Sequence, residues 1–350
     1  MLAQVTHILG LTNIRRIRML PVAGRVLVST GQKVHATDVV AEADAATRHV
    51  LLDVRRWLGF TRVDEAERVI IRHEGDRVQS GDVIAETGGL FSRIIRAPSD
   101  GLIVTISAGR VLLQVESQPV QVLSGFSGVV TEIFPERGAV IEASGSLIQG
   151  VWGNGPMVGE GLMVTLLKSP DEELQRTNLE VSLRGAIVIG GYCKDPEALR
   201  VAASLPVRGL VLSSITSDLI PVAKGLQVPI MVLEGFGRIP MNETAYRLLT
   251  TSDKRDVSIS SHFNPTAGER PEVFIPLPAV GQTAPEMAYL APEQTVRIQG
   301  EPYRGKIGTI VQVRPGLTVL PNGVRAPAAD VRLEQETQVI IPLANLEVIE

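Results

Sequence analysis

The sequence predicts a multidomain chain, β-rich at both ends, with a small parallel α/β unit between them. Three observations carry this expectation. Short alternating apolar and polar runs, broken by glycine, extend from Leu20 to about Lys168 within a first domain of 1–168; strand-like and helix-like stretches alternate over 178–263; and a proline-rich stretch, 264–294, precedes a last group of short strands over 295–350. The chain has 350 residues, 44% apolar and 21% charged, the balance of a globular protein with room for roughly two or three domains. Aromatic residues supply only 4%, so the cores are expected to be aliphatic and β-branched.

Charge and cysteine content narrow the function classes. The net charge of −4 supplies no global field toward nucleic acid or an anionic membrane, so any such contact must be local. Cys193 is the single cysteine, which excludes an internal disulfide or a thiolate metal cage within one chain and fits a reducing cytoplasm. The N-terminal apolar stretch precedes Arg15, Arg16 and Arg18, the reverse of a secretion signal, and no apolar run approaches the ~20 residues that span a bilayer. The expectation is a cytoplasmic protein with no membrane partner.

Within residues 1–168, segments such as Gly24-Arg-Val-Leu-Val-Ser-Thr-Gly31 and Gly101-Leu-Ile-Val-Thr-Ile-Ser-Ala-Gly109 read as strands between glycine turns. One helix is expected to interrupt them, capped by Asp44, with Val50, Leu51, Val54, Trp57 and Leu58 on one face and Gly59 ending it. Trp57 is expected to anchor a core. A phrase recurs at Gly31-Gln-Lys-Val-His-Ala-Thr-Asp-Val-Val40, Gly75-Asp-Arg-Val-Gln-Ser-Gly-Asp-Val-Ile84 and Gly138-Ala-Val-Ile-Glu-Ala-Ser-Gly-Ser-Leu-Ile148, each read as strand, turn and strand.

The stretch from Gly75 to Gly101, closed by Ala97-Pro-Ser-Asp-Gly101, resembles the barrel-sandwich hybrid fold of biotinyl and lipoyl domains. Carrier domains of that family present an acceptor lysine at a hairpin tip. Here the tip reads Glu86-Thr-Gly-Gly-Leu90, and Lys33 lies at a different turn, so the resemblance implies the fold without the swinging arm, and no cofactor is expected.

Over 178–263, Gly185-Ala-Ile-Val-Ile-Gly190, Gly209-Leu-Val-Leu-Ser213 and Pro229-Ile-Met-Val-Leu233 read as strands, each followed by a helix, from Asp195-Pro196, Ser217 and Asn242. Apolar strands with helical crossovers imply a small parallel, three-layer unit. In such sheets ligands bind beyond the strand carboxyl ends, which makes Gly190, Gly191, Ser213, Ser214, Glu234 and Gly237 the ligand-binding candidates. Glycines permit close approach, serines can hold an anion, and Glu234 can accept a hydroxyl; the same residues also end strands and cap helices with no ligand at all.

Other features carry less chemistry. Cys193 near a helix start could be a stabilised thiolate, but a packed thiol is the simpler reading, and His7, His35, His49, His73 and His262 fall in no triad or metal spacing. No catalytic residue and no metal ligand is therefore assigned. Gly153-Asn-Gly155-Pro-Met-Val-Gly159 lacks the strand–turn–helix context of a dinucleotide loop and reads as a turn or bulge. Residues 1–72 hold ten Arg and one Lys against four Asp and three Glu, so Arg15, Arg16 and Arg18 could contribute to a local basic patch or simply be solvated.

The run Gly300-Glu-Pro-Tyr-Arg-Gly305-Lys-Ile-Gly308-Thr-Ile310 is a strand, a tight glycine turn and a second strand, with Pro321-Asn-Gly323 marking a later hairpin. It resembles the KOW motif of ribosomal proteins and transcription elongation factors, implying an SH3-like barrel that binds RNA or protein. Tyr303, Arg304 and Lys306 match the exposed turn of that motif and are the partner-contact candidates. From Thr295 to Glu350, five Arg and one Lys face one Asp and five Glu, which favours a protein partner over RNA. The expected function is a non-catalytic cytosolic scaffold or accessory protein. Two alternatives stand beside it, an RNA-, ribosome- or transcription-associated factor and a small-molecule-binding protein or enzyme using the strand-end loops.

Overall fold

A computed structural model describes residues 2–44, 48–89, 92–115, 119–278, 287–333 and 337–349. The fold is mostly β, 47% strand and 14% helix, and is built of several sheets. Among the described residues no helix is long and apolar enough to cross a membrane. Contacts divide the chain into two compact units, one formed by Val22–Gly24 with Glu42–Gln121 and the other by Met1–Pro21, Arg25–Ala41 and Val122–Glu350. Residues 1–168, expected as one domain, are thus shared between the two.

In the smaller unit, strands Arg48–Asp53, Arg110–Val115, Gly101–Ser107 and Arg77–Val78 form an antiparallel sheet over a core of Leu52, Ile84, Ile103, Val111 and Leu113. The helix expected from Asp44 is shorter and starts later. Residues 48–53 are a strand because Leu52 is buried while Leu51 is 53% exposed, a period of two that pairs with Arg110–Val115. The helix spans Val54–Leu58, with Asp53 accepting from Arg56 N at 3.0 Å and Gly59 (φ 79°) ending it. Trp57 is 56% exposed and anchors no core, a correction to the sequence expectation. Residues 45–47 and Leu90, on which parts of the expected helix and hairpin tip fall, lie outside the described residues.

The recurring phrase has a shared local geometry in its first two copies. Gly31 (φ 83°) precedes a short strand, Lys33–Val34, after which His35 N donates to Asp38 at 2.8 Å. Gly75 (φ 89°) likewise precedes Arg77–Val78, after which Gln79 N donates to Asp82 at 3.1 Å. Val34, Val40, Val78 and Ile84 are the buried positions of the two copies. The third copy departs: Gly138–Gln149 is one continuous strand, paired with Ile8–Met19 on one side, with a register shift between Gly145 and Leu147, and with Gly128–Phe134 and Glu272–Pro276 on the other.

The larger unit contains a long mixed sheet. Four strands, Val158–Thr165, Ile187–Cys193, Gly209–Ile215 and Ile230–Phe236, run parallel to one another, and the outer two pair antiparallel with Asp256–Ser260 and Trp152–Gly153. All seven residues of Ile187–Cys193 and of Gly209–Ile215 are buried, as expected of strands covered on both faces. Alternate residues enter different cores. Val188, Leu210 and Leu212 pack with Ala198, Leu199 and Ala202 of helix Pro196–Ser204, whereas Ile187, Ile189 and Val211 pack with Ala245 and Leu249 of helix Glu243–Thr251. Asp195 and Asn242 cap these helices, accepting from Glu197 N and Ala245 N at 2.9 Å each.

The sheet continues through Asp256–Ser260 and Glu272–Pro276 to Gly138–Gln149. Strand Glu272–Pro276 lies inside the stretch expected to be a linker. Pro271 and Pro276 occupy only its margins, so Glu272, Val273 and Phe274 pair on both sides, and with Ile275 they are buried. Residues 279–286 of that stretch lie outside the described residues.

A further sheet orders Met287–Tyr289, Leu2–Thr6, Leu346–Ile349, Thr295–Ile298, Ile307–Val313, Ala328–Leu333 and Gln338–Pro342. The first strand of the chain therefore joins its last, in parallel, with Val5 opposite Val348. Gly308 has no room for a side chain, because a Cβ there would stand 2.6 Å from the Arg332 carbonyl.

Candidate functional site

The strand ends named from sequence are closed by the chain itself. A Cβ on Gly191 would fall 1.7 Å from the Glu172 carbonyl, which accepts from Tyr192 N at 2.9 Å, so segment 172–174 lies against this strand. Gly190 packs beside Leu174 and Leu212. Ser213 and Ser214 are fully buried, and the Ser214 hydroxyl donates to the Ile239 carbonyl at 2.8 Å while accepting from Ile239 N at 3.1 Å. Gly237 (φ 103°) turns the backbone and donates its N–H to the Ile215 carbonyl at 2.8 Å.

Glu234 is 4% exposed, and both of its oxygens are engaged. Oε1 accepts from Asn242 N at 2.9 Å and from Asn242 Nδ2 at 2.5 Å, and Oε2 accepts from Arg297 Nη2 at 2.6 Å. Arg297, itself buried, lies opposite Glu347 across the strand pair, with Nη1 3.6 Å from the Glu347 carboxylate. Glu347 also pairs with Arg270 at 2.5 Å and accepts from Gln299 and Thr6. Two carboxylates thus meet two guanidiniums in a buried network, the arrangement in which such charges are tolerated. Only Glu234 was singled out in the sequence; Arg297 lies 63 positions away, with no local signal to join them.

Cys193 is fully buried, and its thiol lies 3.5 Å from the Asp195 carbonyl. Burial is the main reason its pKa rises to about 11, with the Asp195 and Glu173 charges adding to it against the opposing hydrogen bond at Asp195. At neutral pH it is a protonated, packed group and not a nucleophile. Among the described residues no group of three or more His, Cys, Asp or Glu side chains has the geometry to hold a metal.

Tyr303, Arg304 and Lys306 come together in one turn, closed by Gly305 (φ 80°), whose N–H donates to the Ile298 carbonyl at 2.7 Å. Tyr303 is half-buried against the C-terminal core, and Lys306 Nζ lies 5.7 Å from its ring centroid, so the ammonium covers a ring face. Arg304 is exposed. A neighbouring element in sequence carries a signal that composition alone did not reveal. The hairpin of Thr318–Val319 and Arg325–Ala326, turned by Asn322 and Gly323 (φ 81°), exposes Leu317, Val319 and Val324 at 67%, 55% and 55%.

Arg16 and Arg18 enter a cleft of about 610 Å³. Arg15, Arg16 and Arg18 line it with His7, Gln149, Ser260, and His262, Glu269, Arg270 and Glu272 from the 262–272 segment. Arg16 pairs with Glu272 at 2.9 Å, and His262 Nε2 lies 2.8 Å from Glu269. Burial works against the Glu272 carboxylate, but Arg16, with help from Arg18 and Gln149, holds it below its ordinary range. Arg15 turns to the other face of its strand, 3.2 Å from Glu132 and 3.3 Å from Glu142. The sequence marked Arg15, Arg16 and Arg18 only as a basic cluster; their strand, Ile8–Met19, and the 262–272 contribution both depend on long-range pairing.

With the geometry in place, comparison with known proteins adds no assignment: no protein-family model and no curated protein sequence matches this chain.

Proposed function

We propose that this protein is a non-catalytic cytosolic scaffold or accessory protein that contacts other macromolecules through its β modules. The observation that carries the reading is the hairpin segment 317–326, on which Leu317, Val319 and Val324 are each more than half exposed. Aliphatic side chains exposed together on one hairpin favour docking, and a protein partner supplies the apolar complement. The strand-end groups support the same reading, because Glu234, Ser214 and Gly191 are engaged in holding the chain together.

The domain-level reading follows the same lines. The paired turns at Gly31 and Gly75 support a barrel-sandwich-hybrid ancestry without a carrier lysine, and the strands around Gly308 support a KOW-like, SH3-type barrel. The parallel strands with helices on two faces support a three-layer α/β unit between them. For RNA as the alternative partner, Tyr303 and its two cations share one turn, but Lys306 already occupies a face of the ring on which a base would stack.

Affinity capture with the full-length protein from native lysate, with and without RNase, tests the reading. Protein partners retained after RNase are the expected result. Loss of all partners with RNase would favour the RNA alternative, and no specific partner at all would remove the scaffold reading.

A further inference from the structure

We propose that the cleft beside the Ile8–Met19 strand binds a small ligand carrying two phosphate or carboxylate groups, with Arg18 as its anchor and Arg16 as the second contact. The site is independent of the hairpin proposed above as a docking surface. Arg16 and Arg18 are two residues apart on one strand, so their side chains leave from the same face.

Arg18 is held in a fixed pose by the 124–126 segment. Its Nε donates to the Ser124 carbonyl at 2.7 Å, its Cζ lies 5.9 Å from the Phe126 ring centroid, and a Cβ on Gly125 would stand 2.4 Å from Nη2. This leaves the Nη nitrogens as a preset fork, and among the described residues no carboxylate forms an ion pair with it. Such a fork matches the paired oxygens of a carboxylate or phosphate. Arg16 is oriented by Glu272, which also receives the Gln149 amide at 3.5 Å.

Burial, opposed by Glu272 and reinforced by the like charge of Arg16, pulls the Arg18 pKa below its ordinary value. An anion between the two guanidiniums would relieve both the lost hydration and the repulsion. The cleft, about 610 Å³, has small-molecule dimensions. Among the described residues no Phe, Tyr or Trp side chain lines it, and the rings present are the smaller imidazoles of His7 and His262, the latter held against Glu269. A compact oxyanion is the better fit.

The test is titration calorimetry of the full-length protein with pyrophosphate and with citrate, against sodium chloride at matched ionic strength. Wild type should bind at least one of them with Kd below about 1 mM. Pyrophosphate alone would assign a phosphate ligand, citrate alone a carboxylate, and both a general dianion site; each outcome supports the proposal. Arg18→Gln should weaken binding about tenfold or more, and Arg18→Lys, which keeps the charge but not the fork, severalfold. Arg200→Gln, on an exposed helix position outside the cleft, should bind as wild type. Arg16→Gln gives a second reading should Arg18→Gln unfold, as judged by circular dichroism. Absence of binding beyond the chloride control, or equal binding by wild type, Arg16→Gln and Arg18→Lys, would overturn the proposal.

Discussion

The guanidinium of Arg297 lies 2.6 Å from the carboxylate of Glu234, with both side chains only 2% exposed. The pair ties the end of the Ile230–Phe236 strand to the Thr295–Ile298 strand of the C-terminal sheet. Glu234 is therefore an anchor for the fold, with Glu347 and Arg270 completing its charge balance.

Replacing Arg297 with methionine leaves Glu234 buried without its partner and should cost about 3–5 kcal/mol. Urea denaturation of wild type and Arg297→Met measures this. Adding Glu234→Gln to Arg297→Met should recover part of the loss, since the uncompensated charge is then gone. A loss below about 1 kcal/mol would show that solvent reaches the pair, as it does for exposed ion pairs.

Glu272 gives a pH dependence with a defined sign. Its folded pKa lies below the ordinary value of 4.5, so its stabilising contribution is present above that value and is lost as the pH falls through the lower, folded one. Arg16→Gln removes the main offset to burial and should move the acid-unfolding midpoint upward, measured by circular dichroism against pH. An unchanged midpoint would mean that Gln149 and Arg18 suffice to hold the carboxylate.

Cys193 titrates in the opposite sense. Its folded pKa of about 11 lies above the ordinary 9.0, so the contribution is complete below that value and is lost as the pH rises through about 11. Alkylation by iodoacetamide at pH 8 should be slow in the native protein and fast in urea. Rapid native labelling would contradict the packed-thiol reading.

Much of the local structure was legible because it depends on neighbours in sequence. Asp195 with Pro196, Asn242, and the Asn322-Gly323 turn each act through the next few residues, and each is found where the spacing places it. Elements set by remote partners were not legible. Residues 48–53 carry a pattern compatible with helix or strand, and only pairing with Arg110–Val115 decides it. Glu272–Pro276 sits among prolines that suggest a tether, yet two flanking strands recruit it into the sheet. The site divides in the same way. Arg15, Arg16 and Arg18 stand out in the sequence as a basic cluster, while the strand that turns Arg16 and Arg18 to one face, and the partners of Arg270, Glu272 and Arg297, are set only by long-range register.

The scaffold reading rests on the exposed hairpin, and a charge introduced there should not disturb the fold, because Leu317, Val319 and Val324 are already solvated. The most direct measurement is the yield of RNase-resistant partner captured by the Leu317→Asp, Val319→Asp, Val324→Asp triple variant relative to wild type, with matched circular dichroism spectra. A yield reduced about tenfold or more is predicted, as for the loss of a central apolar anchor. Equal capture by the two folded proteins would contradict the account.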